Sequence, residues 1–273
     1  MPGKPNLANR IIDSVSQKQS QKSLDKALFN AISNSSCYDV KNLLTKGANP
    51  NALDDRTNTP LMNAISPHIG NMEIIEVLVS HGADVNVQRI DGGFTALMMA
   101  GQIGDYEICK FLLEHGADPN AKKDDGITAL MMSTRNENVC ELLLDHGARV
   151  NARSYEKATA LRDAAISGDF LSCEILIRRG AMMNARDDLG RTPLMLAAHG
   201  GYFYTCRVLL RHGADYTLKN GYDGKTAYEM AKEKSTDSNT VILLSIPIIL
   251  SGFLGRNTKK FVSLFGKCVS GGV

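Results

Sequence analysis

The sequence has little of what most function classes need. Charge of one sign is missing: 31 Lys+Arg against 29 Asp+Glu leave +2 over 273 residues, too near balance for a nucleic-acid binder. Tryptophan is absent, and six cysteines are too few for a chain this long to be a disulfide-stapled fold. No run reaches the roughly 18–20 apolar residues of a spanning helix; the nearest, Val241 to Leu254, is short and interrupted by Pro247. Residues 1–23 lack the apolar core of a secretory signal. A Gly-x-Ser-x-Gly elbow, a phosphate-binding Gly-x4-Gly-Lys-Ser/Thr loop and a His-Glu-x-x-His pair are all missing. The expectation is a cytoplasmic, non-catalytic protein with reduced thiols, no cofactor and no metal. What the chain does have is 43% apolar residues, enough to bury a core and incompatible with disorder throughout.

Self-similarity is the dominant signal. Gly-Ala recurs at Gly47, Gly82, Gly116, Gly147, Gly180 and Gly213, at intervals of 31 to 35 residues. A second marker keeps phase with it: Thr59-Pro60-Leu61, Thr95-Ala96-Leu97, Thr128-Ala129-Leu130, Thr159-Ala160-Leu161, Thr192-Pro193-Leu194 and Thr226-Ala227-Tyr228. Within one unit the residues dictate the elements. Gly190-Arg191 makes a turn, Thr192 caps a helix and Pro193 takes its first position. Leu194, Met195, Ala197 and Ala198 give a short helix with small residues, ended by Gly200-Gly201. Cys206, Val208, Leu209 and Leu210 carry a second helix, stopped by His212-Gly213. A helix pair this small buries its apolar faces only by stacking on its neighbours.

The segments DLGRTPLMLAAHGG (188–201) and EICKFLLEHGADPNA (107–121) resemble the ankyrin repeat, and the resemblance spans about 24–245. It implies an all-α repeat solenoid of stacked helix-turn-helix units, about seven with incomplete ends, carrying β-hairpin fingers. Departures accompany the matches. The histidine that usually follows Thr-Pro-Leu is replaced by Met62, Met98, Met131, Arg162, Met195 and Glu229, so its side-chain hydrogen bond is expected to be lost. Thr57 and Lys157 stand where other fingers have glycine. The unit at 59–82 is two residues longer than most, through Ser66-Pro67-His68, and that at 128–147 two shorter, at Arg135-Asn136-Glu137-Asn138.

Residues that suggest chemistry have structural explanations. Cys109, Cys140, Cys173 and Cys206 share one repeat position, as a packed helix face requires, and repeat spacing is far beyond the roughly 2.3 Å of a zinc–sulfur bond. His81, His115, His146 and His212 precede the cap glycine, where a helix C-terminus favours a hydrogen-bonding or cationic side chain. Asp54-Asp55, Asp124-Asp125 and Asp187-Asp188 fall in turns that favour aspartate. Methionine pairs 98–99, 131–132 and 182–183 read as core. Cys268 is the expected exposed thiol.

The remaining candidate is the irregular surface of a regular stack. The resemblance places partner contacts at finger tips (Asp55, Arg56, Asp91, Asp124, Asp125, Tyr155, Glu156, Asp188, Leu189, Tyr222, Asp223) and on inner helices (Ser66, Gln102, Arg135, Ile166, His199, Glu233). The partner-binding set expected here is Arg56, Tyr155, Glu156, Asp188, Leu189, His199, Tyr222 and Asp223, with Leu189 between Tyr155 and Tyr222 as the anchor. Residues 1–23 carry +3 and 251–273 carry +4, which leaves −5 for the body. An acidic concave groove on a monomeric protein, meeting a basic segment of another protein, follows as an expectation. Residues 1–23 read as a flexible basic segment, and Leu24 to Ala31 as the first helix of an N-terminal cap. The tail, 246–273, joins apolar residues to Lys259, Lys260 and Lys267; it reads as a cap on the last repeat or as a peripheral membrane contact. The functional expectation is a protein-interaction scaffold, with a membrane-associated adaptor or an exported microbial effector as alternatives.

Overall fold

The computed structural model describes residues 7–65, 71–233 and 238–254. It separates into two compact units, Met1–Asp118 and Pro119–Val273, and every element among the described residues is helical.

The first unit holds α1 (Leu7–Ser33), α2 (Cys37–Thr45), α3 (Pro60–Ala64), α4 (Met72–Ser80), α5 (Ala96–Ile103) and α6 (Tyr106–Glu114). Helix α1 packs on α2 and α3, and α3 on α5. The expected capping helix at Leu24 to Ala31 lies within α1, which begins at Leu7. The second unit holds α7 (Ala129–Met132), α8 (Glu137–Asp145), α9 (Ala160–Ser167), α10 (Phe170–Arg178), α11 (Pro193–Gly200), α12 (Phe203–Arg211), α13 (Ala227–Glu233) and α14 (Ser238–Leu254). Its first helices form one layer, α7–α9–α11–α13, and its second helices another, α8–α10–α12–α14.

Caps set the helix bounds. Thr59, Thr95, Thr159 and Thr192 each accept a hydrogen bond from the amide three residues on, satisfying one of the orphan donors of the first turn. Thr128 makes no such bond, its hydroxyl is buried without a partner, and the helix it opens is four residues long; this is the shortened unit. The Ser66-Pro67-His68 insertion lies outside the described residues. At the second helices His81, His115 and His146 place Nδ1 2.8–2.9 Å from the carbonyl four residues back. His212 instead meets Glu174 at 3.0 Å.

The core is periodic as well. Leu78, Leu112, Leu143, Leu176 and Leu209, four residues before each cap glycine, are all fully buried, each contributing about 1.5–3 kcal/mol. Cys109, Cys140, Cys173 and Cys206 are buried free thiols one turn earlier. Burial pushes Cys109, Cys140 and Cys206 up to about 12, and Cys173 upward as well.

An asparagine ladder joins neighbouring repeats. In the first unit Asn51 donates to the Gly82 carbonyl (3.0 Å) and accepts from the Asp84 amide (2.8 Å). Asn86 bonds in the same way to Gly116 and Asp118. In the second unit Asn120 reaches Gly147 and Arg149, and Asn151 reaches Gly180 and Met182. Asn184 accepts from Asp215. The first four rungs fasten a loop to the next repeat's helix end, where cap carbonyls lack intrahelical donors.

The expected β-hairpin fingers are corrected to turns: no strand occurs among the described residues. Each finger is closed by a backbone bond across a tight loop, such as Lys123 N to Ile127 O (2.9 Å), Ser154 N to Ala158 O (3.0 Å) and Asp187 N to Arg191 O (3.1 Å). The paired stretch is too short for a ladder. Thr57 and Lys157 adopt positive φ, 62° and 55°, so these two fingers keep the turn despite lacking glycine.

Helix α14 passes through Pro247 and packs on α12 and α13, so residues up to Leu254 continue the last repeat's second helix. Leu243 and Leu244 are buried, and Thr240 donates to the Gly201 carbonyl (3.2 Å). No helix among the described residues is long and apolar enough to cross a membrane. The rest of the 246–273 tail, with Cys268, lies outside the described residues.

Candidate functional site: the finger row of the second unit

Four fingers of the second unit stand side by side, backbone against backbone. The Tyr155 amide donates to Asp125 O (2.9 Å), Asp188 to Glu156 O (3.2 Å) and Gly221 to Leu189 O (2.9 Å). The approach needs glycine. A Cβ on Gly190 would lie 2.6 Å from the Gly221 nitrogen, and one on Gly126 3.1 Å from Ser154 Cα.

This frame holds the tips while leaving their side chains in solvent. Tyr155 is 74% exposed, Leu189 48% and Tyr222 85%. Below Leu189 sits the buried carboxylate of Asp187, which accepts from the Leu189 and Arg191 amides and from the Arg191 guanidinium at 2.8–2.9 Å. Arg162, the residue after Thr159-Ala160-Leu161, stands 3.6 Å from Asp187 and 2.8 Å from Asp163. Burial raises the Asp163 carboxyl in spite of Arg162. Under Tyr222, the Asn220 side-chain oxygen Oδ1 accepts from the amides of Tyr222, Asp223 and Gly224 at 3.0–3.1 Å. Tips whose backbone is fixed before binding lose little entropy on meeting a partner.

The position after Thr-x-Leu varies in what it does. Methionine does not wholly forfeit the histidine bond there: Met195 Sδ accepts from the Thr192 amide at 3.4 Å. Glu229 takes the role fully, accepting from both the amide and hydroxyl of Thr226.

The tip charges are largely satisfied locally. Asp125 pairs with Lys123 (2.9 Å), Asp188 with Lys157 (3.0 Å) and Asp223 with Lys225 (2.9 Å). Hydrogen bonds from Lys225 and Asn220 hold the Asp223 carboxyl below its ordinary value. These three tip carboxylates therefore contribute little free negative charge to the row. Glu141 and Asp145 on α8 are likewise paired, both with Arg179.

Tyr155, Glu156, Asp188, Leu189, Tyr222 and Asp223 thus lie on one row of adjacent fingers. His199 does not join them: it is exposed at the far end of α11, about 9 Å along the helix from Pro193 by helical rise. Arg56 belongs to the first unit, in a finger where its amide donates to Asp54 (2.8 Å). Ser66 lies outside the described residues.

A second exposed group went unnoticed in the sequence. Phe170, Leu171, Tyr202 and Tyr204 are 38–62% exposed where first helices turn into second ones. Phe170 and Tyr204 stand 5.7 Å apart. The Tyr202 ring covers Gly168 and Gly200, where any Cβ would come within 2.5 Å of it. The signal was the aromatic run 202–204, in repeat register with Phe170. No group of His, Cys, Asp and Glu among the described residues is placed to hold a metal.

Comparison with known proteins decides the family. A family model described as ankyrin repeats, in three copies, matches residues 3–89, 28–123, 97–187 and 161–246. The chain belongs to the ankyrin repeat family. Ankyrin repeats serve protein–protein interaction and are generally non-catalytic, and on the finger row this ankyrin chain exposes Tyr155, Leu189 and Tyr222. It is also similar to the 2-5A-dependent ribonuclease of Mus musculus, 38% identical over 78 residues. That match covers 28% of this chain, which spans 10% of the ribonuclease.

Proposed function

We propose that this ankyrin chain is a non-catalytic interaction scaffold that captures another protein on the finger row of its second unit. The observation that carries this reading is a row of exposed apolar tips, Tyr155, Leu189 and Tyr222, on backbone fixed by hydrogen bonds between fingers. Aromatic anchors on rigid supports concentrate binding energy. Glu156, Asp188 and Asp223 form the polar rim, His199 is peripheral, and Arg56, in the first unit, is not part of this surface. The protein acts as a monomer in the cytoplasm.

The test is affinity capture from cell lysate with the full chain and a Tyr155→Ala, Leu189→Ala, Tyr222→Ala variant, after circular dichroism shows both equally folded. Loss of captured protein in the variant supports the reading, and equal recovery overturns it. For a purified partner the variant is expected to lose at least about 2 kcal/mol, roughly 30-fold in affinity.

A second reading rests on α14, whose sequence stays apolar from Ile246 to Leu254. Peripheral membrane contact through 246–273 would engage this stretch. Flotation of the full chain with anionic liposomes, lost on truncation after 245, supports it; absence of flotation dismisses it.

A further inference from the structure

Beneath the tips runs a column of cations, one per finger: Lys122, Arg153, Arg186 and Lys219. All four are exposed, and each of the first three reaches the next finger. Lys122 Nζ donates to Arg153 O (3.2 Å), Arg153 to Arg186 O (2.9 Å) and Arg186 to Lys219 O (3.0 Å). These bonds hold the side chains along the row without neutralising them, because a carbonyl oxygen carries no net charge. Among the described residues no carboxylate lies within ion-pair distance of Arg153, Arg186 or Lys219, although Lys219 is near enough to Glu229 to help lower its carboxyl. The tip carboxylates Asp125, Asp188 and Asp223 spend their charge on other lysines. The row therefore offers apolar anchors at the tips together with positive charge, held in place at Arg153 and Arg186 and joined by Lys219.

We infer that the segment captured by the finger row is an acidic peptide stretch of the partner, its carboxylates spaced to meet Arg153, Arg186 and Lys219 while apolar side chains meet Tyr155, Leu189 and Tyr222. This rests on the reading of the finger row as the binding surface, and it reverses the sign of partner charge that net composition suggested. A guanidinium already oriented by one hydrogen bond retains donors for a carboxylate. Discrete carboxylates can register with cations one repeat apart. A continuous phosphate backbone cannot place apolar side chains against Tyr155, Leu189 and Tyr222 and would also run against Glu156, so a peptide fits better than a nucleic acid.

The probe is a random dodecapeptide phage library selected on the immobilised full chain, in parallel on two folded variants. One is Arg153→Glu, Arg186→Glu, Lys219→Glu; the other is Tyr155→Ala, Leu189→Ala, Tyr222→Ala. The expected result is a pool rich in Asp and Glu from the wild type, a pool without that enrichment from the charge variant, and no enriched pool from the alanine variant. A synthetic peptide from the acidic pool should bind about tenfold more weakly to the charge variant and also weaken as salt rises. A neutral or basic pool that still requires the three tips would overturn the acidic partner while leaving the finger row as the binding surface. A pool indifferent to both variants, or no enrichment over a blank support, would overturn both. Tighter binding of a 20-nucleotide single-stranded RNA than of any selected peptide would overturn the peptide in favour of nucleic acid.

Discussion

Replacing Asn151 with alanine removes one rung of the asparagine ladder, and the cost can be worked from the structure. Two hydrogen bonds vanish: Nδ2 to the Gly180 carbonyl at 3.0 Å and the Met182 amide to Oδ1 at 2.8 Å. A typical intramolecular bond is worth about 0.5–1.5 kcal/mol net. Gly180 and Met182 are exposed, so water can replace part of what is lost, and the expected cost lies near the lower half, about 1–2 kcal/mol. Asn184 makes the single bond from Asp215, so Asn184→Ala should cost about half as much. Urea unfolding of wild type and both variants gives the difference as a shift in midpoint at constant slope. Hydrogen exchange should show the Asn151→Ala loss concentrated at Gly180 to Met182. Equal stability of Asn151→Ala and wild type, or a larger loss in Asn184→Ala, would refute the ladder as a fastener between repeats.

Glycine substitutions separate crowding from strain: Gly190→Ala sets a Cβ 2.6 Å from the Gly221 nitrogen, whereas Gly224→Ala at nearly the same φ meets nothing within 4 Å. Urea unfolding should place the Gly224 variant about 1 kcal/mol below wild type and the Gly190 variant clearly lower still; equal losses would contradict the close finger packing. Thr57→Gly removes a β-branched residue from φ 62° and a buried hydroxyl without a partner, and thermal unfolding should show a gain of about 1 kcal/mol. Native-state iodoacetamide labelling read by mass spectrometry should modify Cys37 well before Cys109, Cys140, Cys173 and Cys206, whose thiols are buried and shifted upward; early labelling of those four would contradict their place in the core.

The repeat phase, the helix pairs and the leucine and cysteine columns were legible, because stacking imposes one residue type on one position many times over, whereas Met182, read as core, is exposed. Thr-Pro-Leu marked the first helices and Gly-Ala the ends of the second ones for that reason. The asparagine ladder obeys the same period, in Asn51, Asn86, Asn120, Asn151 and Asn184, yet escaped notice: an asparagine in a loop satisfies a local turn as readily as a distant carbonyl. Fingers were expected as hairpins from the resemblance, and their shortness makes them turns. Summed charge carried the least information. Composition gave the body −5 but not its distribution, and the structure spends tip carboxylates on lysines two residues away or one finger away. The aromatic group around Tyr202 was obscured because its members belong to consecutive repeats and meet only when these stack.

The most direct test of the central claim is site-specific photo-crosslinking of the full chain in lysate, with p-benzoylphenylalanine placed at Tyr155, Leu189 or Tyr222, and at Glu141 on α8 as reference. The finger-row account predicts one common partner trapped from all three tips and not from Glu141. A partner trapped equally well at Glu141, or none at the tips while the unsubstituted chain still captures it, would contradict that account.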